Sequence, residues 1–165
     1  MKNKLTIKPQ RVKDAKRYFE ILSNPHFKYF NVQVRSVEEE KKFLKLNTEK
    51  RRQKREFNFG IHLNEKLVGG IGVRVDGFRS YIGEIGYFVD ETYWGKGIAS
   101  KALRLIERFS FQNLKLKRIE ILVITRNKAS LRVALKCGYQ QEGILKKKLV
   151  NNKVYHDAYL LAKTR

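Results

Sequence analysis

Tyr93-Trp94-Gly95-Lys96-Gly97-Ile98-Ala99-Ser100 is the stretch on which the reading of this chain turns. It lies between a run that reads as a strand, residues 81–90, and one that reads as a helix, residues 97–113. Glycines at such a junction let backbone N–H groups approach a ligand with no Cβ in the way. The start of a helix adds N–H donors that lack intrahelical partners, together with the positive end of the helix dipole. The combination is a cradle for phosphate, with Lys96 as a further cation.

Working outward, the helix carries Ile98, Ala102, Leu105, Ile106 and Phe109 on one face and Lys101, Arg104, Glu107 and Arg108 on the other. The strand before the loop is interrupted by Gly83 and Gly86, and a glycine inside a strand often marks a bulge or a close backbone approach. Residues 119–124 are apolar and mostly β-branched, as expected of a buried central strand. A helix joins these two strands, which predicts parallel neighbours with a right-handed crossover. Asn127 begins another helix, ended by Gly138, and residues 140–150 and 153–162 read as a terminal hairpin turning at Asn151-Asn152. Upstream, Leu5–Lys8 reads as a strand. Pro9 suits the first turn of a helix carrying Val12, Ala15, Phe19 and Leu22. Ser36 and Glu39 form a capping-box pattern that opens a helix to about residue 54. Phe57–Leu63 and Lys66–Val75 read as strands joined at Asn64-Glu65. The expectation is one domain over residues 1–165. It is a mixed α/β fold with a mostly antiparallel sheet, one parallel pair and helices on both faces.

The chain has 165 residues, 37 Lys and Arg against 16 Asp and Glu, and a formal net charge of +21. Hydrophobic residues make up 42%, enough for a packed core and against disorder. The charge is uneven: residues 1–56 carry a net +10, residues 57–113 a net +1 and residues 114–165 a net +10. Dense runs occur at residues 50–55 and at Lys146-Lys147-Lys148. Such a field attracts polyanions, so ribosome or RNA docking through the basic flanks is one expectation and a plain solvated surface the other. No apolar run approaches the roughly 18–20 residues needed to span a bilayer, which excludes a membrane partner through a helical span. The basic start Met1-Lys2-Asn3-Lys4-Leu5 leads into no apolar signal core, so the expected location is cytoplasmic. A single cysteine, Cys137, excludes an internal disulfide, and no Cys/His spacing suggests a metal.

Three phosphate-binding motifs can be set against the loop. The Walker pattern is absent, and the dinucleotide fingerprint fits Gly95 and Gly97 but finds Ser100 at its third glycine. The segment resembles the pyrophosphate loop of the GNAT-superfamily N-acetyltransferases, Q/R-x-x-G-x-G/A, with Trp94, Gly97 and Ala99 at its first, fourth and sixth positions. Trp in place of Gln or Arg, the run Glu84-Ile85-Gly86-Tyr87, Asn127-Lys128-Ala129-Ser130, Lys136-Cys137-Gly138-Tyr139, Glu142-Gly143 and Tyr155-His156-Asp157 are similar to the branch that acetylates ribosomal-protein N-termini.

The resemblance implies acetyl-CoA as cosubstrate, bound where strands 83–89 and 118–124 splay apart at a bulge near Gly86. Backbone groups of Phe88 and Val89 would pair with the pantetheine amides, as an added strand would. The pyrophosphate would rest on N–H groups of Gly95, Lys96, Gly97, Ile98 and Ala99, with Trp94 and Ser100 completing the loop and Trp94 read mainly as a buttress. Asn127 is either a pantetheine contact or a helix N-cap, and the two are compatible. The chemistry is direct attack of a neutral primary amine on a thioester, which needs a proton acceptor, an oxyanion donor and a proton for the leaving thiolate. Glu84 is the candidate base, against an exposed carboxylate paired with a nearby Arg. Ser130 is the candidate acid, against an ordinary residue of the first helical turn. Tyr139 is an alternative acid, against core packing. Tyr87 and Tyr93 line the acceptor cleft or pack in the core, and His26, His62 and His156 read as surface or core residues. The expected acceptor is a protein N-terminal amine, on a monomer or homodimer. The competing readings are a small-molecule amine acceptor and a basic nucleic-acid or ribosome-binding module with this fold and no activity. A strongly basic chain disfavours polyamines and aminoglycosides.

Overall fold

Two short turns set the frame of the sheet. Asn64 and Glu65, at φ 47° and 66°, close a two-residue turn that brings Leu63 opposite Lys66. In the computed structural model, which describes residues 4–27, 29 and 34–165, this turn joins β2 (Glu56–Leu63) to β3 (Lys66–Val75). Before them come β1 (Leu5–Pro9), a 3₁₀ turn at Val12–Asp14, α1 (Ala15–Leu22) and α2 (Val37–Arg52). After them come β4 (Ile82–Val89), a 3₁₀ turn at Glu91–Tyr93, α3 (Ile98–Gln112), β5 (Arg118–Ile124), α4 (Lys128–Lys136), β6 (Gln140–Asn151) and β7 (Val154–Thr164). The sheet order is β1-β2-β3-β4-β5-β7-β6, and β4–β5 is its one parallel pair among the described residues. The mixed α/β architecture expected from the sequence is the one observed.

Strand alternation distributes the core. On β4, Ile85, Tyr87 and Val89 join the large cluster built with Ile98, Ala102, Leu103 and Ile106 of α3 and with Ala134 of α4. Phe88 points the other way, into a smaller cluster with Ala15, Tyr18 and Leu44 of α1 and α2. Ser36 caps α2 by accepting from Glu39 N at 3.1 Å, while the Glu39 carboxylate accepts from Arg35 N at 2.9 Å.

Four details depart from the sequence reading. Pro9 ends β1 opposite Phe59 instead of starting a helix, because the ladder with β2 claims it. Helix α1 therefore begins at Ala15, and its fully buried residues are Ala15, Tyr18 and Ile21 rather than Phe19 and Leu22. In α3, Leu103 is fully buried and Leu105 only partly so. The last hairpin turns at Asn152-Lys153, whose φ values of 50° and 62° suit a tight turn, and Asn151 is buried in the strand. Met1-Lys2-Asn3 lie outside the described residues.

Candidate active site

The site arises where β4 and β5 part. Their parallel register runs Ile82↔Arg118, Gly83↔Ile119 and Glu84↔Glu120, and then stops. Beyond that point β4 stays with β3 as far as Val89↔Gly69, and β5 stays with β7 as far as Ile124↔Ala158. The strands diverge around a cleft of about 830 Å³, walled by both of them, by the glycine loop and by the start of α4. The bulge expected near Gly86 is absent: β4 keeps an unbroken register against β3 from Gly83 to Val89. The opening comes from the loyalties of the two strands to different neighbours.

The loop is held from several sides. Asp90 accepts from Thr92 N at 2.9 Å and from Thr92 Oγ1 at 2.8 Å, and pairs with Arg17 of α1. Partial burial opposes its charge, but these donors outweigh burial and hold the carboxyl below the usual range. Glu91 accepts from the Asn24 amide and meets His26 Nδ1 at 2.6 Å. The Trp94 indole donates to the Val89 carbonyl at 2.7 Å, and its ring meets Phe27 edge-on at 5.8 Å. Trp94 is thus a buttress, and the Val89 carbonyl expected to face pantetheine already accepts a hydrogen bond.

Gly95 and Gly97 have φ of 73° and 72°, and Gly97 is the N-cap of α3. A Cβ built on either meets no atom within 4 Å. Glycine adopts the left-handed backbone without strain, and the space outside each residue stays open for a ligand. Ile98, Ala99 and Ser100 continue the cleft wall as the first turn of the 15-residue α3, where N–H groups lack helical acceptors. Lys96 departs from its expected role. Its ammonium donates to Thr92 O at 2.9 Å and sits over the Tyr93 ring at 5.3 Å, folded back on the loop. Cations on the cleft wall come instead from Arg126, Lys128, Arg132 and Lys136. The sequence reading passed over them, although the spacing of four from Lys128 to Lys136 was a legible signal for one helix face.

The candidate catalytic side chains separate into two groups. Glu84 lines the cleft at the fork itself, and its carboxylate lies 3.1 Å from Arg74 on the neighbouring strand. Ser130 and Asn127 line the cleft at the start of α4. Asn127 Oδ1 accepts from Ser130 N at 3.1 Å, so it is an N-cap. Tyr87 spans from β4 to α4, its hydroxyl donating to Ser130 O at 3.2 Å. Tyr139 belongs elsewhere: it is 2% exposed in the large core and takes no part in lining the cleft. Burial raises its phenol well above the usual range, as expected of a packing residue. Tyr93 and His26 stand at the cleft wall, while His62 is buried against Gly60 O. The sequence reading also passed over Phe27, whose ring joins Phe88 and Trp94 in an aromatic wall. Among the described residues no group of His, Cys, Asp and Glu is placed to hold a metal, and no helix is long and apolar enough to cross a membrane.

Comparison with known proteins follows the same line. Residues 4–140 match the family model described as an acetyltransferase (GNAT) domain. A probable N-acetyltransferase of Bacillus subtilis, YjcK, is 36% identical over 134 residues, which cover 77% of this chain and 72% of that protein. The ribosomal-protein-serine acetyltransferase of Escherichia coli is 34% identical over 105 residues, 64% of this chain and 59% of that protein. Among solved structures, Mycobacterium smegmatis RimJ in complex with CoA-disulfide superposes with a TM-score of 0.90 at 26% identity, covering 97% of this chain and 81% of that one.

Proposed function

This chain belongs to the acetyltransferase (GNAT) family and is an acetyl-CoA-dependent N-acetyltransferase, and from that premise we propose that its acceptor is the N-terminal α-amine of a protein, a ribosomal protein foremost. The observation that carries the proposal is the position of Glu84, at the point where β4 and β5 separate and where the resemblance puts the thioester. The relative named as a ribosomal-protein-serine acetyltransferase supports the acceptor class. A ribosomal acceptor goes with a cytoplasmic setting.

The chain's own residues divide the work. N–H groups of Gly95 to Ala99 and the positive end of α3 receive the diphosphate, and the cations of α4 add charge beside it. Asn127, its oxygen committed to capping, offers its Nδ2 to the pantetheine arm. Glu84 takes the ammonium proton, directly or through a water. An α-amine has a reference pKa near 7.7–8.0 against about 10.4 for Lys, so it asks less of that base than a lysine side chain would. A backbone N–H of β4 steadies the tetrahedral oxyanion, and the Ser130 hydroxyl hydrogen-bonds the departing thiolate and relays to it the second proton, which the acceptor nitrogen releases as the C–S bond breaks and from which the hydroxyl is restored. Direct transfer needs no covalent enzyme intermediate, and Cys137 is buried against Ser100 O, away from such a role.

The test is mass spectrometry of ribosomal proteins from cells with and without this protein, joined to assays on synthetic peptides. Acetyl groups that appear only with the enzyme, at α-amines and not at internal lysines, are the expected result. Acetylation of a small free amine with every peptide untouched would overturn the acceptor reading while leaving the reaction class in place.

A further inference from the structure

At the end of β4 away from the glycine loop, four segments distant in sequence are joined through their main chains. Arg55 O accepts from Val75 N at 2.8 Å, Tyr81 O accepts from Lys117 N at 2.8 Å, and Lys117 O accepts from Arg165 N at 3.0 Å. The α2–β2 connection, the β3–β4 turn, the α3–β5 connection and Arg165 therefore line up along one end of the sheet. Lys54, Arg55, Lys115, Lys117 and Arg165 are all exposed there. Neighbouring carboxylates are already engaged: Glu49 by Arg52, Glu56 by Lys50, Glu84 by Arg74 and Asp76 by Arg79.

The β3–β4 turn has a defined shape. Asp76 Oδ1 accepts from Phe78 N at 2.9 Å and from Arg79 N at 2.8 Å, while its Oδ2 meets the Arg79 guanidinium at 2.9 Å. These donors, the Arg79 side chain first, pull the Asp76 carboxyl down to about 2, so the clamp persists at any ordinary pH. The clamped turn holds the Phe78 ring out at 102% relative exposure, and Tyr81, three residues further along, is 52% exposed. A phenyl ring presented on a braced turn, amid Lys and Arg side chains that form no ion pair among the described residues, has no packing purpose in the monomer. None of these residues lines the cleft apart from Glu84, whose side chain Arg74 already holds.

Exposed aromatic rings set among Lys and Arg are the means by which proteins hold single-stranded nucleic acid: bases stack on the rings and phosphates meet the cations. A second copy of this chain fits poorly, since it would bring a like-charged surface against this one. We propose that this end of the protein binds single-stranded nucleic acid, with Phe78 and Tyr81 as stacking platforms and Lys54, Arg55, Lys115 and Lys117 as phosphate contacts. The site is separate from the acetyl-transfer cleft, so its test stands or falls independently of the acceptor.

The experiment is fluorescence anisotropy of labelled RNA and DNA single strands of about twelve nucleotides, a length within the usual site size. Phe78→Ala is expected to weaken binding about fivefold or more, the equivalent of losing one stacked base. Lys54→Glu with Lys117→Glu is expected to lower the slope of log K against log salt by about 1–2, at roughly 0.7 per lost phosphate contact. Tighter binding of the RNA strand than of the DNA strand would identify RNA as the natural source. All variants should keep the parent melting temperature and the parent shift with coenzyme A. Unchanged affinity in Phe78→Ala, a loss carried instead by Lys147→Glu on β6, or equally tight binding of poly-glutamate would each overturn the proposal.

Discussion

The Tyr87 hydroxyl donates to the Ser130 carbonyl at 3.2 Å, tying β4 to the first turn of α4 across the cleft. Burial pushes the phenol up to about 12, so it stays a neutral donor throughout the working pH range. Ser130 is thereby fixed in depth against the strand that borders the thioester. Tyr87→Phe is expected to cost about 1 kcal/mol of stability, read from urea melts. Ser130→Ala is expected to leave stability nearly unchanged while lowering kcat more than it raises KM for acetyl-CoA. Equal changes in kcat and KM in the serine variant would remove Ser130 from the thiolate-protonation role.

The glycine loop offers a sharper contrast. At Gly97 any side chain is strained by the φ of 72°, at about 1–2 kcal/mol, yet a Cβ there meets no atom within 4 Å. Gly97→Ala should therefore fold and lose part of its coenzyme A affinity. Gly97→Glu should lose binding altogether, because its carboxylate would occupy the space of the diphosphate. The measurement is the melting shift caused by coenzyme A in high salt, where non-specific polyanion binding fades and a ligand held by backbone N–H groups persists. An undiminished shift in Gly97→Glu would show that the diphosphate lies elsewhere.

Glu40 of α2 is 4% exposed, and burial pushes its carboxyl up to about 7 from an ordinary value near 4.5. The folded protein then holds a proton that the unfolded chain has already released, so stability falls as pH rises from about 4.5 to about 7 and levels off above that. Glu40→Gln keeps the shape without the charge. It should raise stability at pH 8 by roughly 1–3 kcal/mol and flatten this part of the profile. Matching pH profiles of parent and variant, from chemical denaturation, would show that Glu40 does not titrate in this window.

What the sequence disclosed and what it concealed follow a physical division. Gly95 and Gly97, the Asn127 cap and the Ser36 cap are local signals, each written within a few residues, and each is found where the pattern put it. The misreadings concern long-range partners. Pro9 belongs to a strand only because Phe59 lies opposite it. The cleft opens because β5 follows β7 while β4 follows β3, which no feature of residues 82–89 encodes. Trp94 finds the Val89 carbonyl and Lys96 finds Thr92 O through the three-dimensional course of the loop. Arg118 binds both Glu120 and Glu142, a bridge between β5 and β6 that composition alone cannot reveal.

Glu84 is the residue on which turnover should depend most. It borders the cleft at the last paired position of β4 and β5, and the Arg74 guanidinium at 3.1 Å restrains its carboxylate from the neighbouring strand. Glu84→Gln keeps size and hydrogen-bonding capacity but removes the proton acceptor. If Glu84 is the base, kcat should fall about 10²-fold or more, within the usual range for loss of general acid–base catalysis, while coenzyme A binding by melting shift stays at the parent value. The deficit should shrink as pH rises, because free amine then forms without enzymic help and the acceptor arrives already deprotonated. Arg74→Ala separates this role from mere packing: it frees the carboxylate without deleting it, so kcat should change far less than in Glu84→Gln. An unaltered kcat in Glu84→Gln, or a pH–rate profile identical to the parent's, would clear Glu84 of the base role and leave a water held by the β4 backbone as the proton acceptor.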